Sequence, residues 1–74
     1  MPATLPQEHD IVALLVDRPD LGLSAGDTGT VVHGYANRQA FEVEFMDESG
    51  ITKAVSTVLA DQILKLNWVA VAAR

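Results

Sequence analysis

The chain contains no cysteine, which excludes a disulfide scaffold, a thiol nucleophile and any cysteine-ligated zinc or iron–sulfur centre. A reducing cytoplasm is the compartment this predicts. Positive charge is scarce as well: Arg18, Arg38, Lys53, Lys65 and Arg74 stand against ten Asp and Glu, for a net charge of −5. That balance repels phosphate backbones and anionic lipid, so nucleic acid and membranes are disfavoured and a basic protein is the expected partner. No apolar run approaches the roughly 18 residues a membrane helix needs, and no positive side chain precedes Arg18, so neither a spanning helix nor a signal peptide is expected.

What is present is enough apolar material for a core. Hydrophobic residues make up 49% of the chain and charged residues 20%, a balance that excludes disorder as the overall state. A length of 74 residues is about half the roughly 150 that serve as a prior for one domain, so a single small domain is expected. We divide the chain into an N-terminal extension at residues 1–7, a domain at 8–66 and an apolar tail at 67–74.

Ile11-Val12-Ala13-Leu14-Leu15-Val16 is a continuous apolar run of strand length, read as a strand over residues 9–16 covered on both faces. Residues 17–27, with Pro19, Gly22, Gly26 and three aspartates, have the composition of a folded-over loop, and Leu21 and Leu23 within it are expected to lie over the core as a lid. Gly26 suits a left-handed turn, and Gly29 suits a bulge or a close backbone approach. The β-branched residues that follow predict a strand over 28–35.

Phe41, Val43 and Phe45 alternate with Glu42 and Glu44, which predicts a strand over 40–46 with one core face and one acidic face. Asp47-Glu48-Ser49-Gly50 is type I turn chemistry and leads into a return strand over 51–57, whose inward face the sequence leaves open. Leu59-Ala60-Asp61-Gln62 is short enough for a single helical turn, and residues 63–66 form a closing strand. The expected fold is all-β: five short antiparallel strands in a small, partly open barrel, with Leu14, Val31, Phe41, Val43 and Phe45 in its core.

The segments Asp10-Ile11-Val12-Ala13-Leu14, Leu23-x-Ala25-Gly26-Asp27-Thr28-Gly29-Thr30-Val31-Val32, Tyr35, Phe41-Glu42-Val43-Glu44-Phe45 and Gly50 resemble a bacterial family of small SH3-like barrels, domain of unknown function 4926. The resemblance covers roughly residues 8–66. It implies an SH3-like five-stranded barrel and an antitoxin- or immunity-like protein encoded beside a larger partner; it carries no catalytic residues. A fainter similarity, in Gly26-Asp27-x-Gly29-x-Val31, is to the KOW domains of ribosomal and transcription-elongation proteins. It implies a module associated with RNA or the translation and transcription machinery, from which this chain departs by its acidic charge.

No constellation for chemistry stands out. His9-Asp10 and His33 are too few for a metal site and read as solvated side chains. Ser24, Ser49 and Ser56 lie in no nucleophile elbow, and Ser49 precedes a turn glycine. Gly26-x-x-Gly29 lacks the Lys-Ser/Thr of a phosphate loop. No enzyme activity, cofactor or metal is expected. The contact candidates are the acidic residues Glu42, Glu44, Asp47 and Glu48, with Leu21, Leu23, Tyr35 and Trp68 as apolar anchors. The reading is a non-catalytic acidic protein-binding module. Its tail, with Trp68, Val69 and Val71, is expected to dock either along its own barrel or, by preference, against a second copy as a homodimer.

Overall fold

A computed structural model describes residues 5–66. Five strands, β1 (Ile11–Leu14), β2 (Thr28–Gly34), β3 (Ala40–Met46), β4 (Thr52–Leu59) and β5 (Ile63–Lys65), form one antiparallel sheet in the order β4-β3-β2-β1-β5. The last strand returns beside the first, and no ladder joins β4 to β5. The barrel is therefore open, with those two strands as its edges.

All five strands contribute to one core. Val12, Leu14, Val31, Phe41, Val43, Phe45, Val58 and Ile63 are buried, and Leu23 closes over them from the β1–β2 loop. Each residue expected in the core is in it. The period-two pattern of β3 dictates this, since its odd positions face inward and its glutamates outward.

The first strand is shorter than its apolar run, and it is covered on one face only. His9 takes a left-handed φ of 77°, with its N–H on the Val31 carbonyl, so the chain is still turning before Ile11. At the far end the strand stops at Leu14; Leu15, whose N–H still bonds to the Gln62 carbonyl, and Val16 are exposed. Val12 and Leu14 are buried while Ile11 and Ala13 are half-buried on the outer face, the ordinary alternation of an antiparallel sheet with one face to water.

Loop chemistry sets the connections. Pro19–Leu21 forms a 3-10 turn ended by Gly22 in the left-handed region. Gly26 has a φ of +99° and donates its N–H to the Leu14 carbonyl. In the β3–β4 hairpin, Gly50 donates to the Asp47 carbonyl at 2.9 Å, the closing bond of the expected turn. A second 3-10 turn, Ala60–Gln62, precedes β5 as expected. At Gly29 the close approach is the requirement, because the bulge of β2 lies further on, at Val32. The return strand runs to Leu59, and its register on β3 turns Ala54, Ser56 and Val58 inward.

Candidate protein-binding face

The outer face of the sheet carries the acidic residues in a definite frame. Glu42 and Glu44 are half-buried there, separated by Val43 on the interior strand β3. Across the ladders Glu42 is level with His33 and Thr57, and Glu44 with Thr30 and Val55. Three hydroxyls fix the carboxylates. Oε1 of Glu42 accepts from Thr57 Oγ1 at 2.7 Å and from the Tyr35 hydroxyl at 3.2 Å, and Oε2 of Glu44 accepts from Thr52 Oγ1. The His33 ring meets Tyr35 edge-on at 4.9 Å, so Tyr35 is held from two sides.

The cations of the described residues are committed elsewhere. Arg18 pairs with Asp20, Lys53 with Asp27 and Lys65 with Asp10, while Arg38 donates to the Pro6 carbonyl. Among the described residues no basic side chain reaches Glu42 or Glu44. Two half-buried carboxylates, Glu42 held by two hydroxyls and Glu44 by one, each with no hydrogen bond to its second oxygen among the described residues, make a preorganised acceptor for an Arg or Lys from outside. Val55 and Leu59, each about half exposed on the neighbouring strand β4, border them with apolar surface.

The other contact candidates are spread over the molecule. Tyr35 lies beside Glu42 on the same face. Asp47 is occupied by its turn, where Oδ1 accepts the N–H groups of Ser49 and Ile51. Glu48 is exposed in that hairpin loop, beyond the end of β3. Leu23 is 2% exposed and is corrected from contact candidate to core residue: its N–H bonds to the Arg18 carbonyl and its side chain seals the barrel end. Leu21 packs partly buried against the same cluster. Trp68 and the rest of the tail lie outside the described residues. Sequence reasoning missed Thr52 and Thr57, because their reach to the glutamates depends on the register of β4, which sets Thr57 opposite Glu42 and Thr52 opposite Met46.

His33 lies 4.0 Å from Glu8, with both side chains more than half exposed. Among the described residues no three His, Asp or Glu come together in a way that could hold a metal ion, and no helix is long and apolar enough to cross a membrane.

Residues 8–65 match the family described as a domain of unknown function, DUF4926. The chain belongs to that family. Neither the curated proteins nor the solved structures gave a match. The DUF4926 match covers all five strands and both residues of the carboxylate pair.

Proposed function

We propose that this DUF4926 chain is a non-catalytic protein-binding module whose outer sheet face docks a basic partner, as an antitoxin- or immunity-like protein would. The observation that supports the reading is the pair Glu42 and Glu44, which no basic side chain reaches among the described residues and which Thr57, Tyr35 and Thr52 hold in place. A net charge of −5 adds long-range attraction for such a partner.

Affinity capture from the source cell, run in parallel with the Glu42→Gln, Glu44→Gln double variant, tests it. The expected result is a basic protein retained by the native chain, eluted by salt and not retained by the variant. Capture of nucleic acid without protein would overturn the reading. Equal retention by the variant would remove this face from it.

A further inference from the structure

We propose that the edge of β4 that is unpaired among the described residues pairs with the same edge of a second copy, antiparallel about a two-fold axis at Ser56, joining the two five-stranded sheets into one continuous sheet. The phase of the β3–β4 ladder comes from its end, where the Ala60 N–H donates to the Gln39 carbonyl at 2.8 Å. Antiparallel ladders alternate between residues that bond to the neighbouring strand and residues that turn away. Ala54, Ser56 and Val58 therefore bond to β3, and Val55, Thr57 and Leu59 direct their N–H and C=O groups to the open edge.

That edge is bounded at both ends. Leu59 donates its outward N–H to Gln62 Oε1 at 2.9 Å, which closes the edge on the side of the 3-10 turn. At the other end the register shifts between Phe45 and Met46, leaving Lys53 as the extra residue, and its ammonium is drawn 3.7 Å from Asp27. Between them, the outward backbone groups of Val55 and Thr57 have no backbone partner among the described residues.

A window of two residues flanking Ser56 is complementary to itself. An identical antiparallel strand puts Val55 opposite Thr57 of the second copy, and each pair exchanges both of its backbone hydrogen bonds. The same register stacks β-branched side chains on the outer face, a favourable cross-strand pairing, and brings the half-buried Ala54 against Val58 of the second copy on the inner face.

Charge selects the same edge. Natural edge strands are commonly protected by charges or proline, and β4 has neither between Ala54 and Leu59. It contains no carboxylate, so two chains of net charge −5 can meet there. The nearest carboxylates, Glu42 and Glu44, lie one strand in. Across the seam they stand three strand spacings from their counterparts, about 14 Å, beyond the Debye length of about 8 Å. The opposite edge, β5, is three residues long and carries Lys65. The pairing is independent of the basic-partner reading, because it leaves Glu42 and Glu44 open.

Sedimentation equilibrium of the full chain over a concentration series tests the proposal. The mass is expected to rise from 7.9 kDa toward twice that value. Val55→Pro removes an outward N–H and leaves the β3 ladder intact, so it should hold the mass at the monomer value. Val55→Glu, at a position exposed in the monomer, should do the same by placing carboxylates along the seam, and it decides the matter if the proline variant fails to fold. Deleting residues 67–74 should leave association unchanged. A native chain that stays monomeric at every concentration, a dimer that survives both Val55 substitutions, or a dimer abolished only by the tail deletion would each overturn the proposal.

Discussion

Gly29 passes directly beneath Glu44: a Cβ on Gly29 would stand 2.7 Å from the Glu44 carbonyl oxygen and 2.7 Å from a Val43 methyl. Its φ is not in the left-handed region, so the requirement for glycine is purely one of space. The obstacle is backbone held in the β2–β3 ladder, which cannot swing aside as a side chain could. Gly29→Ala is therefore expected to cost about 1–3 kcal/mol, lowering Tm by roughly 5–20 °C. Gly34→Ala, whose added methyl would meet the Phe41 ring at an ordinary 3.4 Å, should change Tm far less. Thermal unfolding of the two variants beside the native chain checks the contrast.

Phe41 and Val58 are cross-strand partners on the inner face, 0% and 1% exposed. Phe41→Ala removes the ring and leaves a cavity, at a cost of about 3–5 kcal/mol. A single core in a chain of this size rarely supplies more than about 3–5 kcal/mol in total. The variant should be largely unfolded at 25 °C, with urea titration showing no native baseline; a cooperative transition close to that of the native chain would contradict it.

Legibility followed the physics of each segment. β3 was readable to the residue because its period-two pattern is undisturbed and one face is wholly apolar. The turns at Gly26 and Asp47–Gly50 were readable from local chemistry. β1 was not, since an apolar run is the same string whether one face or two are covered, and the left-handed turn at His9 is signalled only weakly by its residue type. On β4, Val55 faces water while Ser56 faces inward, the reverse of what polarity suggests. That register is set by the hairpin turn and the extra residue Lys53. The carboxylates of the candidate site were visible as an acidic face, but the threonines that orient them follow from the same register.

The Arg18 guanidinium donates to both carboxylate oxygens of Asp20, at 3.1 and 3.2 Å, and this hydrogen bonding, with a smaller Coulombic contribution, lowers the Asp20 pKa against a modest desolvation that raises it. A carboxylate with a lowered folded pKa stabilises the fold above its unfolded value, near 3.9, and that contribution fades as pH falls through the lowered one. Asp20→Asn should therefore be slightly less stable than the native chain at neutral pH, the gap being small because the pair is exposed. The gap should close on acidification. Tm of both proteins followed from neutral to acid pH checks the sign; a gap that widened in acid would contradict it.

Val32 is the extra residue of β2. Val31 faces Val43 and His33 faces Glu42, so Val32 has no partner of its own on β3. The bulge exchanges the parity of the strand: Gly29 and Val31 point inward before it, and Gly34 meets the Phe41 ring after it. Without that exchange the alternation would send the His33 imidazole into the core and Gly34 outward. Deleting Val32 removes the bulge and keeps every other residue on its present face, since Val31, His33 and Gly34 would then alternate directly. Deleting Thr30 leaves the bulge but breaks the register that Thr30 shares with Ile11 and Glu44, forcing Gly29 or Val31 out of the core. The Val32 deletion is expected to fold with a loss within roughly 1–3 kcal/mol, the ordinary range for a single change, and the Thr30 deletion to be unfolded. Far-UV circular dichroism with urea titration compares them, and comparable stability of the two deletions would show that the bulge does not set the facing of β2.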